Sequence, residues 1–160
     1  MTNTADSLTG GSQFFGDTIF CDDIRYELGG KVSYIGVYNG VLYLSPDQTF
    51  PAVVSKLSLQ VRLYMPISVD PDRIEIMVYF PEDKDDAPTF RHVFENIPAR
   101  QNVVSDAQDI QLRGIFATPL MFSPAPLAAT GSVKVRAKIG EEIIRLGSLF
   151  IRKQPEAVFS

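Results

Sequence analysis

The sequence predicts an all-β protein: an antiparallel β-sandwich, immunoglobulin-like or C2-like, of about eight or nine strands with little helix. Three observations carry this. Apolar residues recur at every second position in four separate runs, as they do when a strand has one face in a core and one in water. Eleven glycines and eleven prolines punctuate the chain, the prolines falling mostly between those runs, where no ladder donor is lost. No long stretch has the three-and-four spacing of an amphipathic helix; "PAVVSKL" and "VVSDAQDI" offer a turn or two at most.

In chain order, residues 1–15 are polar and Gly/Ser/Thr-rich and read as a flexible lead, with Phe14 and Phe15 docking on the body. Residues 16–153 form one sandwich domain, and 154–160 are a tail. The first β-like run, "TIFCDDIRYEL", reaches Gly29-Gly30, a turn into "KVSYIGVY". Asn39-Gly40 then sits between two β-prone runs, and both residues tolerate positive φ, so a hairpin is predicted there. "KLSLQVRLYM" puts Leu57, Leu59, Val61, Leu63 and Met65 on one face. "RIEIMVYF" alternates Ile74, Ile76, Val78 and Phe80 against Glu75, Met77 and Tyr79. "DIQLRGIF" alternates from Ile110 to Phe116, and "SVKVRAKI" sets Val133, Val135, Ala137 and Ile139 against Lys134, Arg136 and Lys138. Gly140-Glu141 turns into a last run, "EEIIRLGSLFI", that reads as apolar on both faces. Such a strand is covered on both sides, by a second copy of the chain or by the Phe14–Phe15 arm.

The totals bound the function. At 160 residues with 45% hydrophobic and 21% charged side chains, one self-sufficient core is expected. Net charge is −4 and no Lys/Arg-rich run occurs, so nucleic acid is not an expected partner. A single cysteine excludes an internal disulfide and favours a reducing compartment. With no basic-then-apolar leader and no apolar run of about 18 residues, neither secretion nor a membrane partner is expected, which leaves the cytoplasm.

The candidate site is "CDDIRYELGGKVSYIGVYNG", residues 21–40. As one continuous strand it would carry Ile19, Cys21, Asp23, Arg25 and Glu27 on one face and Phe20, Asp22, Ile24, Tyr26 and Leu28 on the other. Asp22 among apolar neighbours needs a partner, since an isolated buried carboxylate costs several kcal/mol. Arg62, Arg73, Arg91, Lys31 and backbone amides are the candidates; a bulge at Cys21–Asp22 that puts Asp22 at an edge is the alternative. Asp22, Asp23 and Arg25, with Lys31, Tyr34 and Tyr38 nearby, form either a ligand-binding cluster or an ion-pair seam that fixes strand register.

Other chemistry is thinly supplied. Cys21 lies beside aspartates that disfavour its thiolate, and the single histidine, His92, shares a face with Phe90 and Phe94. One Cys and one His are poor provision for zinc. Asp70 and Asp72, with Glu82, Asp83, Asp85 and Asp86, are the only candidates for calcium, but their loops flank opposite ends of one strand and cannot converge on an ion. No phosphate-loop, dinucleotide, serine-elbow, zinc-protease or Cys-x-x-Cys motif is present. Hence no metal, no cofactor and no catalytic residue are assigned.

The residues "CDDIRYELGGKVSYIGVY", followed by a "P…KL" start to the next strand, resemble a family of short uncharacterised bacterial or phage proteins in which a Cys-Asp-Asp-Ile-Arg motif precedes a Gly-Lys turn and an Ile-Gly-Val-Tyr strand. The resemblance covers residues 20–66, implies a small β domain and carries no activity, cofactor or site residue.

Two functional expectations follow. One is a non-catalytic sandwich acting by contact with another protein or with itself, a homodimer included. Tyr34, Tyr38 and Tyr43 would cluster at its Asn39-Gly40 hairpin as interface anchors. The other is a small-molecule or ion-binding domain, or a hydrolase of unrecognised type, built on the Asp22/Asp23/Arg25 cluster.

Overall fold

The alternation from Leu57 to Met65 becomes the spine of the molecule: in the computed structural model Leu59, Val61, Leu63 and Met65 are fully buried. The structure describes residues 13–66, 68–97, 101–103 and 113–156. Most of the expected lead, the end of the tail, the "VVSDAQDI" turn and the first half of "DIQLRGIF" lie outside them. No helix occurs among the described residues.

Thirteen strands do. They begin with β1 (Phe15–Cys21), β2 (Asp23–Tyr26), β3 (Val32–Ile35), β4 (Val41–Leu44), β5 (Ala52–Val54) and β6 (Leu57–Pro66). There follow β7 (Arg73–Tyr79), β8 (Phe90–Glu95), β9 (Gln101–Val103), β10 (Arg113–Phe122), β11 (Ala125–Leu127), β12 (Gly131–Ile139) and β13 (Glu142–Lys153). The excess over eight or nine is made of strands of three or four residues. One of these, β5, stands where "PAVVSKL" suggested a helical turn.

Two sheets form the sandwich, one ordered β1-β6-β10-β9 and the other β4-β13-β12-β7-β8. Between them lie Leu59, Val61 and Leu63 of β6, Ile74, Ile76 and Val78 of β7, Val133, Val135 and Ala137 of β12, and Ile144, Leu146, Leu149 and Ile151 of β13. The layers close tightly where β1 crosses β13. A Cβ on Gly16 would lie 2.6 Å from Leu146 Cδ2 and 2.1 Å from the Arg62 carbonyl oxygen. Small ribbons β2-β3 and β5-β11 complete the fold. Phe14 packs against the core, and Phe15 stacks on Tyr64 at 4.9 Å.

Three expectations are corrected. Gly29-Gly30 and Gly140-Glu141 do turn hairpins, β2-β3 and β12-β13, but Asn39-Gly40 does not. It joins β3, which pairs with β2, to β4, which runs parallel to β13. Tyr34 and Tyr43 therefore lie on strands of different sheets, with Tyr38 in the connection between them. Second, β13 is not apolar on both faces. Arg136 pairs with Arg145 and Lys134 with Ser148, so β13 spends one residue more than β12 across that interval. This bulge is centred on Gly147 at φ 118°. It shifts the alternation by one, so Ile144, Leu146, Leu149 and Ile151 all point inward while Ile143 and Phe150 are exposed. No second copy or Phe arm is needed to cover the strand. Third, the polar face of β7 is covered too: Met77 and Tyr79 are buried, with the Arg136 guanidinium 4.7 Å from the Tyr79 ring centroid.

Candidate functional site

Local geometry breaks the expected first strand in two. β1 ends at Cys21, Asp22 occupies a bend, and β2 starts at Asp23. The Asp22 N–H donates to the carbonyls of Ile35 (2.9 Å) and Gly36 (3.2 Å), and the Tyr38 N–H donates to Phe20 O (2.8 Å). The Tyr38 hydroxyl donates to Asp22 Oδ1 at 2.5 Å, and Ser58 Oγ donates to the Asp22 carbonyl at 3.2 Å. Asp22 is exposed, and its partner is a tyrosine rather than any of the cations expected. Arg62 instead grips Asp17 with two hydrogen bonds, at 2.7 and 2.8 Å, and Arg91 pairs with Glu75 at 3.0 Å. Burial first, and then the Asp22 carboxylate, push the Tyr38 phenol up from its ordinary value of 10.

Asp23 is held by Lys56 and, at 3.2 Å, by Arg25. Those hydrogen bonds hold its carboxyl below the ordinary 3.8. Cys21 is buried beneath, and burial first, with Asp22 behind it, pushes its thiol up, away from the form that attacks electrophiles. The structure thus brings together Asp22, Asp23, Arg25 and Tyr38. Tyr34 lies alongside, opposite Ile24. Lys31 is beyond the last hairpin pair, Tyr26 with Val32, and stands apart from the cluster.

The β2-β3 hairpin has two faces. Direct partners in an antiparallel pair point the same way, so Asp23, Ile35, Arg25 and Ser33 share one face, and Ile24, Tyr34, Tyr26 and Val32 the other. The first face is mostly polar: Arg25 pairs with Asp23, and Ser33 Oγ donates to Glu27 at 2.7 Å. The second is apolar and lies toward β6, where the outward residues Ser58 and Gln60 are buried. Near its base Ile24 and Tyr34 are half-buried. Towards its tip the support ends, leaving Tyr26 67%, Leu28 97% and Val32 37% exposed.

Between this overhang and β10 lies a groove of about 370 Å³. Its sides are Ile24 and Tyr26 on one hand and Pro119, Leu120 and Met121 on the other, with the Asp23–Lys56 pair at one end. Met121 is 64% exposed. Sequence reasoning placed Ile24, Tyr26 and Leu28 on one apolar face but did not name them as a surface. Their alternation, running straight into Gly29-Gly30, was the available signal.

Elsewhere, Asp83 closes its own loop, accepting from Phe80 N (2.8 Å), Thr89 N (2.7 Å) and Thr89 Oγ1 (3.1 Å). Among the described residues no three His, Cys, Asp or Glu side chains gather where they could hold a metal ion. His92 is exposed on an edge strand, its ring parallel to Phe90 and edge-on to Phe94. Among the described residues no helix is long and apolar enough to cross a membrane. Compared with family models, curated proteins and solved structures, the chain matches none.

Proposed function

We propose that this protein is a non-catalytic β-sandwich module that docks a partner polypeptide under its β2-β3 hairpin. The observation that carries the reading is the uncovered apolar overhang of Tyr26, Leu28 and Val32 on an arm whose base is fixed by hydrogen bonds from Asp22, Ser58 and Tyr38. Fixing the arm before contact lowers the ordering cost of binding, and an exposed tyrosine beside aliphatic residues is the composition of an interface centre. Asp22, Asp23 and Tyr38 are then anchors of the arm. The Cys-Asp-Asp-Ile-Arg and Ile-Gly-Val-Tyr residues behind the bacterial or phage resemblance are largely those that build the anchor, so such relatives would share the arm.

A photo-crosslinker placed at Leu28 in the native host, compared with one at Asp70 on a distant loop, tests this. A protein captured only from position 28, and lost with Tyr26→Ser and Val32→Ser at unchanged melting temperature, is expected. Equal capture from both positions, or none, overturns it. Light scattering at high concentration reads whether the partner is a second copy of the chain.

The groove itself favours a second reading, a small apolar ligand oriented by Asp23 and Lys56, since pockets of roughly 300–1,000 Å³ are the usual size for such ligands. A thermal-shift screen decides it, because a ligand at 100 times its Kd stabilises by about 2.7 kcal/mol. Loss of the shift in Met121→Lys would place the ligand in the groove.

A further inference from the structure

The outer face of the β4-β13-β12-β7-β8 sheet is basic although no basic run exists in the sequence. Lys134, Arg136 and Lys138 alternate along β12, so all three leave the core on one side. Register then puts Arg145 of β13 directly opposite Arg136, and Arg91 of β8 on the same row across Met77. Like charges placed directly opposite across a ladder are destabilising. Arg91 is relieved by Glu75 at 3.0 Å, and Arg136 by Asp85 at 3.3 Å, an acid whose side chain is 92% exposed. Lys134 and Arg145 have no carboxylate partner among the described residues.

The Gly147 bulge lies beside this unrelieved pair, between Arg145 and Ser148. The groove there, of about 410 Å³, is lined by Lys134, Arg136 and Arg145, with Ser148 opposite Lys134 and Ser132 opposite Phe150 at its end. Three cations and two hydroxyl donors around one depression suit a compact group carrying several negative charges. Guanidinium pairs two N–H donors with phosphate as it does with carboxylate, and phosphate keeps further oxygens for a second cation and for hydroxyl donors.

We propose that this groove binds a phosphate-bearing anion, held by Lys134, Arg136 and Arg145 with Ser132 and Ser148 donating to its oxygens. The bound anion supplies the countercharge that Lys134 and Arg145 lack among the described residues. The site is separate from the hairpin groove and does not rest on the docking reading.

Inorganic tripolyphosphate is the probe, titrated by calorimetry and by amide NMR near physiological salt. Binding that moves the Ser132, Gly147 and Ser148 amides is expected, weakened at least tenfold in Arg145→Ala and in Lys134→Ala and unchanged in Lys31→Ala. Arg145→Ala removes a like-charge contact and no core group, so it folds with an unchanged or higher melting temperature. A nucleoside triphosphate binding more tightly than tripolyphosphate, with the gain lost in Phe150→Ala, would identify a nucleotide as the source; equal affinities would identify a simple oligophosphate. No binding, binding indifferent to Lys134 and Arg145, or equal binding of polyglutamate overturns the proposal.

Discussion

A Cβ added to Gly36 would lie 2.0 Å from Oδ2 of Asp22, so the carboxylate rests against the glycine's Cα and the same carboxyl group accepts from the Tyr38 hydroxyl. Gly36 is also at φ +64°. A left-handed backbone costs an L-residue about 1–2 kcal/mol, and here the clash adds to it. Gly36→Ala should destabilise by about 2 kcal/mol or more. In Asp22→Ala/Gly36→Ala the carboxyl contacts are gone, leaving a 3.1 Å contact with the Cβ of residue 22 and the backbone cost, so the double variant should lose less than the sum of the singles. Urea denaturation of the four proteins measures that coupling.

Asp23 gives a pH signature. Its folded carboxyl sits below the ordinary 3.8 because Lys56 and Arg25 hydrogen-bond its charged form. Its contribution is fully present above that value. As the pH falls below it, the unfolded chain takes up a proton that the folded chain refuses, and stability is lost. Lys56→Met should therefore flatten the acid limb of the stability curve, measured by thermal melts between roughly pH 2 and pH 5. An unchanged limb would mean that the pair is not held in solution.

Gly147 is constrained by backbone alone. A Cβ there would meet nothing closer than 3.8 Å, but φ 118° is a conformation that L side chains rarely adopt. Gly147→Ala should cost about 1–3 kcal/mol with the core intact. Deleting Gly147 removes the bulge without disturbing the inner face, because Ile144, Leu146, Leu149 and Ile151 then fall in strict alternation. That variant should keep a cooperative melt and a dispersed NMR spectrum.

Thr18 carries a buried hydroxyl with no hydrogen-bond partner among the described residues. It faces Gly147 across the sandwich, with its Cβ 3.9 Å from where a Cβ on that glycine would lie. Replacing an unsatisfied hydroxyl by a methyl of the same shape removes a desolvation cost of about 1–3 kcal/mol. Thr18→Val should raise the melting temperature, whereas Thr18→Ala, which leaves a void, should lower it.

What was legible in the sequence was what depends on near neighbours. The alternations of β6, β7 and β12 and the turns at Gly29-Gly30 and Gly140-Glu141 needed only residues adjacent in the chain. Asn39-Gly40 misled because positive φ permits a reversal without choosing which strand lies beside it. The Leu146-Gly147-Ser148-Leu149 spacing, two polar or small residues between inward leucines where one is regular, was a readable mark of the bulge. The Asp22 bend was weighed only as an alternative, because an acid in an apolar strand demands a partner that its local sequence does not name. The basic face was invisible to a search for runs: cations two apart on β12 and a fourth on β13 meet only when the strands pair.

The parallel match of β4 with β13 carries a consequence for synthesis. Val41 finds its ladder partner only in Phe150, the widest separation among the strand pairs. A nascent chain emerges at about 5–20 residues per second, so the Val41 segment leaves the ribosome well before its neighbour exists, its amides and carbonyls bare to water or to another nascent chain. Chaperone occupancy during translation should concentrate on that segment and end when Phe150 emerges.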